Sequence, residues 1–290
     1  MNLPTQRVSP IQSPDKYVLP GRPDGDSAAV ADSFRQARFL LGGDLDLFAS
    51  ALNLQLRLVK DAYPSRYRSH ALAAIMALWS RAYTSLADGM LLATRGSYAA
   101  SLPLVRAACE LIAAQEALRA SEADEHTKWL SQTLLPNETF KAFEFELGRF
   151  FAGEVLAADP LLRSIYRPAS DLGRPNFGAT LLLVGPESNN TRLAIGFADA
   201  SFHLGWAELV VGWLLALAAR QLGVIFDADG VFPVAPDVRT AYEALQAAIT
   251  SALAREDRCR VEEVDDGGTR RYLVHDFRRS AGGASKKILL

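Results

Sequence analysis

The sequence predicts a mainly α protein, an antiparallel helical bundle with a small inserted β-hairpin and a C-terminal β-hairpin. Three observations predict it. Apolar residues recur at three- and four-residue spacing over most of 32–257. Short connections bearing Gly, Pro and Ser join those stretches, and short connections make antiparallel neighbours. Two segments, 179–197 and 259–277, read as strand, turn and strand, the first from two-residue alternation over 192–197 and the second from its Asp265-Asp266-Gly267-Gly268 turn. The 290 residues are 49% hydrophobic and 22% charged, which is apolar surface enough for a full-sized core and excludes a disordered chain.

Residues 1–31 hold five of the 14 prolines and read as a flexible arm outside the core. Helical spacing starts near Asp32 or Ser33, either of which can serve as N-cap. Phe34, Leu41, Leu45, Phe48, Leu52 and Leu56 carry that spacing, and Gly42-Gly43 divides it into two helices. Tyr63-Pro64-Ser65 ends it. The next helix spans about 67–94, with Ile75, Trp79, Leu86 and Met90 on its apolar face. Gly96 offers a C′ position and Ser97 an immediate N-cap, so the chain turns back into an arm that reaches Ser121, with a kink at Pro103.

Two helices are expected next: an amphipathic one over 122–135 and a core one over 137–158. Asp159-Pro160 then opens a short helix through Tyr166. Residues 179–197 read as strand, turn and strand, because Leu193, Ile195 and Phe197 alternate with Arg192, Ala194 and Gly196. The helix over 198–222 is apolar nearly all round and is expected at the centre. Its Gly205, Gly212, Ala216 and Ala219 leave room for a neighbouring helix. Its most apolar run, Leu209 to Ala219, has 11 residues and is too short to cross a bilayer. A last helix spans 236–255, and a second hairpin folds around Asp265-Asp266-Gly267-Gly268. The expected division is an arm over 1–31, a bundle over 32–257 with its insertion at 179–197, and a hairpin with a basic tail over 258–290.

The charge balance, net −2, gives no strong DNA-binding signal. The N-terminus has no apolar secretory segment, so a cytoplasmic location without membrane contact is the expectation. Two cysteines 150 positions apart make neither a disulfide scaffold nor a thiolate zinc site. His70, His126, His203 and His275 have no ligand spacing, and no nucleotide, metal-protease or nucleophile-elbow motif is present. No metal and no cofactor is expected.

Two segments carry the polar chemistry. Arg106 and Glu110 are the charged residues of an otherwise apolar stretch, 102–114, and at i, i+4 they share a helix face. They read either as an ion pair that fixes helix register or as a pocket guanidinium that holds phosphate or carboxylate. Tyr166, Ser170, Asp171, Arg174 and Asn176 follow on a helix end that breaks into a loop, which reads as a plain helix stop or as a ligand site. Arg95 is expected to converge with these groups on one cavity. His203 reads as a satisfied core histidine or as a further ligand-binding group.

Together these segments resemble a group of bacterial helical proteins loosely related to the HEPN superfamily. Gly96 and Tyr98, then Arg106 and Glu110, then Tyr166, Ser170 and Pro175 match that group's pattern over roughly 66–222. Arg174 stands where the group tends to have His, so a role for that His is lost here. The resemblance implies a non-catalytic module that self-associates as a homo-oligomer and binds an RNA, a protein partner or a phosphate-bearing ligand. HEPN ribonucleases place an Arg a few residues before a His, and Arg119 with His126 is the candidate catalytic pair, the His acting on the ribose 2′-OH and the Arg on phosphate. Arg270 and His275 share that spacing but fall in an expected strand. The alternatives are thus a metal-independent ribonuclease of a toxin or phage-defence system and a small-ligand binding protein. The segment 258–290, with eight basic and five acidic residues, reads as a solvated tail or a contact surface.

Overall fold

A computed structural model describes residues 12–22, 24–61, 70–120, 136–137, 142–143, 153–189, 191–197, 200–227, 234–278 and 287–290. Among them the chain is mainly helical, with eight helices and a three-stranded antiparallel sheet. The helices are α1 (Ala28–Asp61), α2 (His70–Thr94), α3 (Tyr98–Ala120), α4 (Gly153–Ala158), α5 (Pro160–Leu172), α6 (Phe177–Val184), α7 (Leu204–Phe226) and α8 (Pro236–Leu253). Two short strands, β1 (Pro136–Asn137) and β2 (Ala142–Phe143), pair with each other, and β3 (Arg260–Asp266), β4 (Thr269–His275) and β5 (Lys287–Leu289) form the larger sheet with β4 in the middle.

α1 begins earlier than Asp32 or Ser33. Ser27 Oγ accepts the Val30 N–H at 3.3 Å, and Ala28, Ala29 and Ala31 are strong helix formers, so the cap falls one turn upstream. Ser33 instead lies buried and donates its hydroxyl to the Thr94 carbonyl at 3.0 Å. The expected division of this stretch is a kink at Leu41 (φ −118°, ψ 18°), next to Gly42-Gly43. The segment before α1 is not wholly an arm outside the core. Tyr17 stacks edge-on against buried Phe48 at 5.7 Å, and its backbone N–H donates to Asn53 Oδ1 at 2.8 Å. The Tyr63-Pro64-Ser65 stop lies outside the described residues.

The α2–α3 connection is the expected tight hairpin. The Ser97 N–H reaches the Leu92 carbonyl at 2.9 Å and the Gly96 N–H reaches Ala93 at 3.1 Å, with Gly96 at φ +79°. The core helix expected over 137–158 is corrected: residues 136–137 and 142–143 pair as strands, and helix is described only over Gly153–Ala158. The helix expected over 122–135 lies outside the described residues. Asp159 Oδ1 caps α5 by accepting the Leu162 N–H at 2.9 Å, and α5 continues past Tyr166 to Leu172. Burial of Ile165, Ala169 and Leu172 extends its apolar face those extra turns.

The hairpin expected over 179–197 is overturned. Residues 177–184 are helical, because Asn176 Oδ1 caps the Ala179 N–H at 2.8 Å and Ala-Thr-Leu-Leu-Leu-Val is as good a buried helix as a strand. The returning segment 192–197 joins no sheet. Ala194 N–H donates to Ser188 Oγ at 3.0 Å and Gly196 N–H to the Val184 carbonyl at 2.7 Å.

α7 is the central helix and packs on α1, α2, α3 and α8. It runs 204–226 and not 198–222, since His203 is its N-cap. Among the described residues it is the one helix long and apolar enough to cross a membrane by length and composition, so the 11-residue limit expected from Leu209 to Ala219 is too short, yet 83% of its most apolar window is buried in the protein. The small residues on α7 do admit close neighbours: at Ala219 the helix α8 docks, with Gln246 Nε2 donating to the Ala219 carbonyl at 2.8 Å, whereas at Gly205 and Gly212 the neighbour is the C-terminal hairpin segment. A Cβ on Gly205 would stand 2.3 Å from the Phe277 carbonyl oxygen, and one on Gly212 would stand 2.7 Å from Arg258 Nη2. The hairpin itself follows the sequence: Asp266 pairs Thr269 across Gly267-Gly268, whose φ values of +62° and +87° suit a two-residue turn.

Candidate functional site

α5 and its exit are the meeting place of the polar groups. On one side α5 packs on α3. There Arg106 Nε donates to Glu110 Oε1 at 3.0 Å, the Tyr166 hydroxyl donates to the same oxygen at 3.3 Å, and the Arg106 guanidinium lies 5.8 Å from the Tyr166 ring centroid. The Glu110 hydrogen bond holds the Arg106 guanidinium above its usual range. This half-exposed trio ties α3 to α5. Ser170 is buried one turn further on, and its hydroxyl has no partner among the described residues.

At the exit of α5 lies a cleft of about 480 Å³ between the α5–α6 turn and β4. Asp171 is its hub. Its carboxylate accepts the Tyr272 hydroxyl at 2.6 Å, Arg270 Nη2 at 2.9 Å and Arg174 Nη1 at 3.4 Å. Burial, then the Asp171 carboxylate, push the Tyr272 phenol up, so the ring stays a neutral donor. Asn176 stands beside them, its amide donating to the Asp171 carbonyl at 2.7 Å while its oxygen caps α6. Two guanidiniums therefore face one carboxylate. Arg174 is held the more loosely, with 65% of its side chain exposed.

The expected convergence of Arg95, Arg106, Glu110, Ser170 and Arg174 on one cavity is corrected. Arg106, Glu110 and Tyr166 meet, and Arg174 and Asn176 meet in the cleft, but Arg95 pairs with Asp26 at 3.2 Å. Arg119 is engaged by Glu116 at 2.6 Å and by the Asp227 carbonyl at 3.5 Å, and His126 lies outside the described residues. Arg270 and Tyr272 belong to the cleft although no sequence motif points to them as ligand-binding residues. Their i, i+2 spacing puts both on one face of β4, but nothing local in the sequence says that this face meets Asp171, a hundred positions away.

His203 is a structural group. Its Nδ1 accepts the Trp206 N–H at 3.2 Å as the N-cap of α7, and its Nε2 lies 3.2 Å from Glu187 Oε1. Its ring also packs on Phe277 at 4.5 Å. An accepting Nδ1 assigns the proton to Nε2, which donates to Glu187. Burial lowers the imidazole pKa, more than Glu187 raises it. The folded protein thus favours the neutral ring, so its contribution to stability is present above the unfolded value near 6.5 and is lost as pH falls through the folded value. Urea midpoints should drop between pH 7.5 and pH 5, and His203→Gln should flatten that slope. An unchanged slope in the variant would contradict this role.

No family model, curated protein or solved structure matches the chain.

Proposed function

We propose that this protein is a non-catalytic, HEPN-like helical binding module that takes a phosphate-bearing ligand in the cleft between the α5–α6 turn and β4. The observation that carries this reading is the pairing of Arg174 and Arg270 with the single carboxylate of Asp171, which leaves one guanidinium charge unbalanced in an open hollow. The HEPN-like relationship is supported by Gly96, Tyr98, Arg106, Glu110, Tyr166 and Ser170 lying on or between helices that pack together. Calorimetric titration with inorganic phosphate and with a nucleoside monophosphate tests the reading. Arg174→Ala and Arg270→Ala should each weaken binding about tenfold, the loss of one charge-assisted contact, and added salt should weaken it further. Absence of binding by the wild-type protein would sink it.

Self-association has its own support. In the segment 192–197 the Arg192, Ala194 and Gly196 N–H groups are bonded within the protein. Between them, the Leu193 and Ile195 N–H groups have no partner among the described residues. The Leu193, Ile195 and Phe197 side chains are 65%, 60% and 99% exposed. An antiparallel pair of such edges centred on Ile195 sets Leu193 against Phe197 of a second copy, an isologous contact. Light scattering should show a concentration-dependent dimer whose dissociation constant rises at least tenfold in Ile195→Arg, and a wild-type monomer at all concentrations would contradict it.

A further inference from the structure

A second hollow, of about 820 Å³, lies between residues 19–22 and the first half of α1 and has no part in the reading above. The chain that covers it is pinned at both ends. Before it, the Tyr17 N–H donates to Asn53 Oδ1 at 2.8 Å, and after it Asp26 pairs with Arg95 at 3.2 Å. Between the pins it stands clear of its surroundings, since a Cβ on Gly21 would meet nothing within 4 Å. The hollow is amphipathic. Phe34 and Leu45 of α1, both buried, line it together with Leu19 and Pro20, and most of the surface it exposes is apolar. The exposed side chains of Arg22, Arg35 and Arg38 line it as well.

The polar groups define the ligand's head. Arg35 Nε donates to Asp32 Oδ1 at 3.0 Å, and Arg38 Nη1 donates to Asp46 Oδ1 at 2.7 Å, so two of the three charges are balanced. Arg22 has no partner among the described residues, which leaves one positive charge for one negative group. The remaining polar side chains are engaged. Asp32 Oδ2 accepts from Gln36 Nε2, and the Thr94 hydroxyl lies 2.9 Å from the Met90 and Leu91 carbonyls. A heterocycle would therefore find no free side-chain partner for its edge groups, whereas a hydrocarbon chain needs none. We infer that this hollow is a binding site for an aliphatic monocarboxylate, with its head at Arg22 and its chain against Leu19, Phe34 and Leu45.

Octanoate, octan-1-ol and acetate are the probes, the second lacking the charge and the third the chain. Titrations of the full chain, followed by NMR at the leucine methyl groups, should show octanoate moving the Leu19 and Leu45 signals. It should bind about fivefold more tightly than octan-1-ol, the worth of one exposed ion pair. Against acetate the advantage should be about fiftyfold, the worth of burying roughly half of the extra methylenes. Arg22→Gln should erase the preference for octanoate over octan-1-ol and leave octan-1-ol binding as it was. Ala31→Phe, which puts a ring into the hollow, should abolish binding of both with the fold kept, as judged by circular dichroism. Equal affinity of octanoate and octan-1-ol for the wild-type protein, or unmoved Leu19 and Leu45 signals, would overturn the assignment. So would octanoate binding that weakens in Arg174→Ala and not in Arg22→Gln, which would put the carboxylate in the Asp171 cleft. That cleft shares no residue with this hollow, so failure of one site leaves the other standing.

Discussion

Asp44→Ala is expected to destabilise the protein by about 3–5 kcal/mol, the cost of leaving a buried charge without its partner. Asp44 and Arg258 are only 3% and 6% exposed, and Arg258 Nη1 donates to Asp44 Oδ2 at 2.6 Å. Arg258 Nη2 also donates to the Glu208 carbonyl at 3.0 Å, and the Glu208 carboxylate accepts the Cys259 N–H at 3.0 Å. The start of β3 is thereby bonded to both α1 and α7. Removing the carboxylate leaves the Arg258 guanidinium buried on the Glu208 carbonyl without a counter-charge from Asp44. Arg255, which reaches Asp44 at 3.2 Å from a more exposed position, cannot replace the carboxylate, being of the same sign as Arg258. Urea unfolding should show the loss as a lower midpoint, and adding Arg258→Met to the variant should restore most of it. A loss under about 1 kcal/mol, the worth of an exposed pair, would show that the pair does not anchor the hairpin.

Gly205→Ala is the second large effect. Alanine is the better helix former by about 1 kcal/mol, so propensity alone favours the change. Packing opposes it. The new Cβ would meet the Phe277 carbonyl oxygen at 2.3 Å and Phe277 Cδ2 at 2.9 Å. The first of these is backbone, and Phe277 is itself buried against Trp206 at 5.4 Å and His203 at 4.5 Å. Relief requires the strand exit to move off α7, so the expected net loss is about 2 kcal/mol, with overpacking outweighing propensity. Gly43→Ala, where nothing lies within 4 Å of the added carbon, is the matched control and should not destabilise. The comparison is read from midpoints of thermal unfolding. Equal behaviour of the two variants would mean that the hairpin does not sit on α7 as described.

Much of the helical architecture is legible in the sequence because its signals are local. The Gly96-Ser97 turn, the Asp159-Pro160 start and the Gly267-Gly268 turn each depend on one or two residues whose backbone preferences decide the outcome. The failures have local causes too. At 179–184 a short apolar run carries no period that separates strand from helix, and the decisive group was the Asn176 cap just before it. At 27–33 several residues can cap, and the one furthest upstream does so. The small residues of α7 signalled close approach but could not say of what. The candidate site was legible in half. Arg106 and Glu110 meet as helical spacing requires, whereas Tyr166 joins them through packing of α5 on α3, and Arg270 and Tyr272 reach Asp171 only through docking of β4, long-range contacts that no local pattern encodes.

In the proposed function, Arg174 and Arg270 act as one anion site at Asp171. The most direct test is a phosphate titration followed by NMR at the arginine side-chain Nε–H groups. The Arg174 and Arg270 signals should move together with a single midpoint, while Arg106, bonded to Glu110 beside Tyr166, should stay in place. Movement of Arg106 alone, or no movement of Arg174 and Arg270 at saturating phosphate, would contradict it.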